Sequence, residues 1–218
     1  DGVICITGGN QHTIAMDVLA RGIPVFIEKP PAPDLAGARA LCEAAELSGM
    51  TLPAKTAELR AGIAEAVRAN PGAEIVKISA YYPGASLDVL PVDPMPEVAI
   101  AAFALADLSK AGRASASGPA RLSVAEARKM PASVLNPQIK IAAAYTHAAF
   151  AKGRAKAAGF HDVLFLDEHD QLTESSTQSF FLVCDGALRS APLDAVLAGV
   201  TRRLAVELAR DEGISVKE

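Results

Sequence analysis

Residues 145–189 read YTHAAFAKGRAKAAGFHDVLFLDEHDQLTESSTQSFFLVCDGALR, and the organisation of the chain is most legible here. Tyr145 to Ala158 reads as a helix that stops at Gly159, since a residue without Cβ suits the left-handed turn that ends a helix. Asp162 to Asp167 follows as a short apolar strand, closed by the polar turn Glu168 to Gln171. Phe180 to Val183 is a further strand, Asp185-Gly186 a hairpin turn, and Ala187 to Arg189 the returning partner. Helix, strand and hairpin succeeding one another at this spacing predict a mixed α/β body.

Downstream, Gly199 opens a last helix, Thr201 to Arg210, closed by Gly213. Upstream, Thr56 is expected to cap a helix over Thr56 to Ala69 that Asn70-Pro71-Gly72 halts. The period then changes to two: Glu74 to Tyr81 and Glu97 to Leu105 read as strands, separated by a stretch carrying Pro83, Pro91, Pro94 and Pro96. No element is predicted over residues 106–138. At the start of the chain, Gly2 to Thr7 and Pro24 to Ile27 read as buried strands of a parallel sheet. Between them, Gly8-Gly9-Asn10 forms a turn and Thr13 to Arg21 a helix ending at Gly22. After the turn Glu28-Lys29-Pro30-Pro31, Asp34 caps a helix over Leu35 to Leu47.

The 218 residues suit one large domain or two small ones, at about 100 to 200 residues each. Half of the residues are hydrophobic and 21% charged, which excludes intrinsic disorder. No apolar run approaches the roughly 18 to 20 residues of a membrane helix, and Asp1 opens into an apolar strand in place of a basic leader, so neither membrane nor secretion is expected. A net charge of -4 argues against a nucleic-acid partner and for a small molecule. Cys5, Cys42 and Cys184 are odd in number, far apart and set in apolar sequence, so free thiols in a reducing cytoplasm are expected. His12, His147, His161 and His169 show no metal-ligand spacing, and no metal site is expected.

Three fragments could carry chemistry. Lys140 lies between apolar and small residues, Ile139 before it and Ile141-Ala142-Ala143-Ala144 after it, and would be partly desolvated, which lowers a lysine pKa toward nucleophilic use. Read alone, such a residue is more often a surface lysine at a strand-to-helix junction. Glu174 sits in Leu172-Thr173-Glu174-Ser175-Ser176-Thr177, where a strand meets small hydroxyl residues; acidic residues after polar turns are usually just solvated. Gly199-Val200-Thr201-Arg202 puts a glycine before a helix, whose free amides and dipole can hold an anion, although a hydroxyl at a helix start is often a simple cap.

In this order, with Tyr145 five residues after Lys140, and with Ala155-Lys156-Ala157-Ala158-Gly159-Phe160, Phe180-Phe181-Leu182-Val183 and Asp185-Gly186 between, the fragments resemble the fold-type IV, class IV aminotransferases, the family of branched-chain and D-amino acid transaminases. The resemblance runs over about residues 56–218. It implies pyridoxal 5'-phosphate as cofactor, an amino acid and a 2-oxo acid as substrates, and a homodimer. It further implies that Lys140 carries the cofactor and shuttles the proton, that Tyr145 hydrogen-bonds the phenolic oxygen, and that Glu174 pairs with the ring nitrogen. Val200 and Thr201 would hold the phosphate. This chain departs from the family pattern at Ala144, where asparagine is usual, at Ser175, where glycine is usual, and at Lys77, where arginine is usual.

Residues 1–50, with Asn10, His12 and Glu28-Lys29-Pro30, resemble instead the second half of the nucleotide-binding domain of the Gfo/Idh/MocA oxidoreductases, which implies Lys29 as an active-site lysine. The glycine-rich pyrophosphate turn of that domain is absent from the sequence. The expected layout is therefore a partial Rossmann-like segment (1–50), a small-domain-like α/β segment with linker (51–138) and a partial cofactor-binding large domain (139–218), cut at both ends. The fold class expected is α/β, a short parallel βαβα segment followed by a fold-type IV α+β body. The expected function is cytoplasmic, pyridoxal-phosphate-dependent transamination, with branched-chain amino acids taken first. An NAD(P)-dependent oxidoreductase fragment using Lys29 and a non-catalytic interaction domain are the alternatives.

Overall fold

The computed structural model describes residues 4–6, 25–27, 35–104, 106 and 119–218. The predicted helix Thr13 to Arg21, the turns at Gly8-Gly9-Asn10 and Glu28 to Pro31 with Lys29, and the Asp34 cap lie outside the described residues. β1 (Ile4–Ile6) and β2 (Val25–Ile27) pair in parallel, Ile4 opposite Val25 and Ile6 opposite Ile27.

Contacts divide the chain into two compact units, 31–115 in one, and 1–30 with 116–218 in the other. In the first, α1 (Leu35–Leu47) and α2 (Thr56–Ala69) pack on an antiparallel pair, β3 (Ile75–Tyr81) and β4 (Glu97–Phe103). Alternation on the strands turns Val76, Ile78, Val98 and Ile100 toward Ala38, Leu59 and Ile63 of the helices. Gly62 is a point of close approach between α2 and β4: a Cβ there would stand 2.8 Å from Ile100 Cδ1. The expected Thr56 cap is corrected. Lys55 is the capping residue, and its backbone N–H donates to Glu58 Oε2 at 2.7 Å, leaving Thr56 inside the helix with its hydroxyl 3.4 Å from Cys42 Sγ.

The second unit holds two three-stranded sheets, each covered by one helix. β5 (Leu122–Val124) runs parallel to β6 (Asp162–Leu166), and β6 pairs antiparallel with β7 (Leu172–Ser175). Over this sheet lies α3 (Ala142–Ala157), with Ala148 and Ala155 against Val163 and Phe165. Small alanines on the inner face let the helix lie close to the sheet. β8 (Leu182–Cys184) forms a hairpin with β9 (Ala187–Arg189), and β9 pairs in parallel with β10 (Ser215–Lys217). The hairpin turn has φ of 53° at Asp185 and 69° at Gly186, the left-handed pair that a two-residue turn needs. α4 (Val200–Asp211) covers this second sheet, and Ala205, Val206 and Ala209 pack on Phe181 and Leu188.

α3 begins three residues before the expected Tyr145, and β5 and β10 are elements that local patterning did not predict. Both strands are three residues long, too short for alternation to register, and exist because a neighbouring strand offers them hydrogen bonds.

Candidate active site

Lys140, Tyr145, Glu174, Val200 and Thr201 all belong to the second unit. Lys140 precedes Ile141, the residue that caps α3, and Tyr145 stands in the first turn of that helix. The expected desolvation of Lys140 is not found: the side chain is exposed, because the neighbouring Ala142 and Ala143 are themselves exposed and too small to cover it. Among the described residues no hydrogen bond or ion pair engages its ammonium. Tyr145 is likewise partly open, at 38% exposure.

Glu174 projects from β7. Thr173 and Ser175, its neighbours on either side, turn inward; the Thr173 hydroxyl donates to the Phe165 carbonyl at 3.0 Å, and the Ser175 hydroxyl bonds the Gln178 side chain at 2.9 Å. Alternation therefore directs Glu174 to the opposite face of the strand. There its Oε1 accepts from Lys129 Nζ, the two side chains being 13% and 24% exposed. The lysine reaches it because the Lys129 backbone N–H donates to the carbonyl of Leu166, the last residue of β6, at 2.7 Å. Lys129 lies where no element was predicted, and its partner is 45 residues away, so no local signal marked it.

Gly199 caps α4 in an extended conformation, φ -63° and ψ 144°, and no side chain caps the helix. The first-turn amides of Val200 and Thr201 are thus left to an anion, which the positive end of the helix dipole favours. Arg202 points elsewhere: it is 3% exposed, and its guanidinium donates to the Ala191 carbonyl at 2.8 Å and to Glu218 Oε1 at 2.9 Å.

Two residues that the sequence did not single out lie among these pieces. Gln138, two residues before Lys140, donates through Nε2 to the carbonyls of Leu193 and, at 2.7 Å, Val196; its Oε1 accepts from the Ala198 N–H at 2.9 Å. All three contacts fall on the segment that leads into Gly199. Ser179 forms an antiparallel bridge with Glu174, and its hydroxyl would stand 3.7 Å from a Cβ placed on Gly199. The lysine turn, the carboxylate strand and the helix N-terminus are thereby assembled in one unit. Lys77, by contrast, is exposed on β3 of the first unit.

An accessible amine, a phenol, a carboxylate and an uncapped helix N-terminus within one unit are groups of a kind that suits a flat, anionic aldehyde with a basic ring nitrogen. Comparison with known proteins agrees in kind. The family described as "Amino-transferase class IV" matches residues 38–218, and "Oxidoreductase family, NAD-binding Rossmann fold" matches residues 2–55. A putative branched-chain-amino-acid aminotransferase of Methanocaldococcus jannaschii is 35% identical over 92 residues, 42% of this chain and 32% of that protein. A probable branched-chain-amino-acid aminotransferase of Rickettsia felis is 41% identical over 81 residues, 37% of this chain and 28% of that protein. The chain thus spans about a third of the length of the curated relatives it matches. Among solved structures, the branched-chain aminotransferase of Thermoproteus uzoniensis with norvaline superposes with a TM-score of 0.72 at 29% identity, over 83% of this chain and 60% of that one. The branched-chain amino acid aminotransferase of Thermobaculum terrenum in its PLP form also gives 0.72, at 25% identity, over 83% of this chain and 59% of that one.

Proposed function

Since the chain belongs to the class IV aminotransferase family, its model matching residues 38–218, we propose that it takes part in pyridoxal-phosphate-dependent transfer of an amino group from an amino acid, branched-chain ones first, to a 2-oxo acid. The observation that carries this reading is that Gln138 bonds the segment before Gly199 while Ser179, bridged to Glu174 through the main chain, stands near Gly199, all within one unit.

Each residue then has a task. Lys140 Nζ would hold the cofactor and, once freed, would move the proton from the substrate Cα to the cofactor, first as general base and then as general acid. Glu174, paired with Lys129, would hold a proton on the ring nitrogen, and the Tyr145 hydroxyl would orient the ring through its phenolic oxygen. The amides of Val200 and Thr201, with the threonine hydroxyl, bind the phosphate. When bound, the cofactor supplies an electron sink for the negative charge left at Cα. The exposure of Lys140 leaves its amine accessible to an aldehyde.

A homodimer and a cytoplasmic setting complete the proposal; the free thiols of Cys42 and Cys184 support the latter. The parallel pairing of β1 and β2, with the match over residues 2–55, supports a nucleotide-binding-type ancestry for the N-terminal segment, and no redox step is proposed for Lys29.

The chain incubated with pyridoxal phosphate should develop a visible absorbance band, and borohydride should fix the cofactor onto Lys140, read by peptide mass. A colourless protein without a labelled lysine would overturn the proposal. An unchanged band in Lys140→Ala would assign the chemistry to another lysine.

A further inference from the structure

We infer that Gln138 is a positioning residue that sets the spacing between Lys140 and the phosphate-binding N-terminus of α4, an inference that rests on the transaminase reading above. A ligand held at both ends gains from the second attachment only if the two anchors already stand at the right separation, because the second contact then costs little further ordering. Lys140 and the α4 N-terminus are about sixty residues apart in sequence, and the chain between them includes α3 and the strands β6 to β9. Backbone connectivity therefore does not fix their separation.

Gln138 does so directly. Two residues from Lys140, it spends one carboxamide on three main-chain groups: donation to the carbonyls of Leu193 and Val196, the latter at 2.7 Å, and acceptance from the Ala198 N–H at 2.9 Å. Ala198 adjoins Gly199, the capping residue of α4. On the lysine side the turn is itself closed: the Gln138 N–H donates to Asn136 Oδ1 at 2.9 Å and the Ile139 N–H to the Asn136 carbonyl at 3.1 Å. A planar amide with both donors and its acceptor engaged has one orientation, so displacement of either segment breaks at least one of the three bonds. A surface glutamine at a turn would make no such set.

The test compares pyridoxal phosphate with pyridoxal, which lacks the phosphate anchor, on the full chain. Wild type should bind the phosphorylated form far more tightly. Gln138→Met keeps the side-chain length and removes all three bonds; it should lower that preference by about tenfold while leaving the affinity for pyridoxal unchanged in a chain that is still folded at the assay temperature. Gln138→Glu, which keeps the acceptor for Ala198 and sets a carboxylate against two carbonyls, should lower the preference as well. An unchanged preference in both variants overturns the inference. So does loss of the fold, read by circular dichroism, since the contacts would then serve stability in place of spacing. A wild-type chain that binds neither compound overturns the transaminase reading itself, and this inference with it.

Discussion

The ammonium of Lys129 and the carboxylate of Glu174 form an ion pair between the segment beside β6 and the strand β7, both side chains mostly withdrawn from solvent. The pair accounts for a carboxylate at only 13% exposure: the lysine supplies the opposite charge where solvent is largely excluded.

Removing one partner leaves the other charge withdrawn and unpaired. Lys129→Met should therefore lower stability by about 1 to 2 kcal/mol, less than a fully buried pair because solvent still screens it. Lys129→Met with Glu174→Gln should recover most of that loss, since no charge is then stranded. Urea unfolding of the single and double variants measures this; simple additivity would show that the two residues do not act as a pair.

Lys152 bonds α3 to the sheet beneath it. Its ammonium donates to Asp162 Oδ2 at 2.6 Å and to the Ser176 hydroxyl at 3.2 Å, while Asp162 Oδ1 accepts the Val163 N–H at 2.8 Å. Lys152→Met strands the Asp162 carboxylate, 9% exposed, and should cost about 2 kcal/mol; Ser176→Ala loses one neutral acceptor and should cost about 0.5 to 1 kcal/mol. Equal costs in denaturant titrations would mean that Asp162 does not need its cation.

Phe165 is 2% exposed and packs between the α3 alanines and the His147 ring, whose centroid lies 5.1 Å away. Phe165→Ala should destabilise by about 3 to 5 kcal/mol through the cavity it opens. Phe150, also aromatic but 68% exposed on α3, should tolerate alanine within about 0.5 kcal/mol. The contrast is checked by thermal unfolding, and similar losses at both positions would contradict the assigned core.

In the first unit, the Tyr81 hydroxyl donates to Glu97 Oε2 at 3.0 Å across the β3–β4 pair. That hydrogen bond, then the carboxylate charge, raises the phenol pKa above its ordinary 10.0. With the folded value above the unfolded one, the contribution to stability is complete below the unfolded pKa and disappears as pH rises through the folded one. Glu97→Gln should move the phenolate absorbance transition of Tyr81 to lower pH. A transition that stays in place would show that the carboxylate is not its cause.

Local rules were enough for much of this chain. The Asp185-Gly186 hairpin, the helix stops at Gly159 and Gly213, and the helices over Leu35–Leu47 and Thr56–Ala69 follow from backbone preference and periodicity acting over a few residues. The family resemblance of Lys140, Tyr145, Glu174 and Gly199-Val200-Thr201-Arg202 was also legible, because it depends on order and spacing along the chain. The exposure of Lys140 was misjudged from its apolar neighbours, since sequence does not reveal whether small alanines will themselves be covered.

What the sequence by itself determined, then, is the identity of the chemical groups and the elements that bear them. Tertiary structure alone decided what meets those groups: Lys129 beside Glu174, Gln138 against the segment before Gly199, Ser179 bridged to Glu174 and near Gly199. These partners lie from 5 to about 60 residues apart, mostly on segments with no pattern of their own. A hydrogen bond depends on where two chains meet in space, and that meeting is set by the packing of α3 and α4 on their sheets.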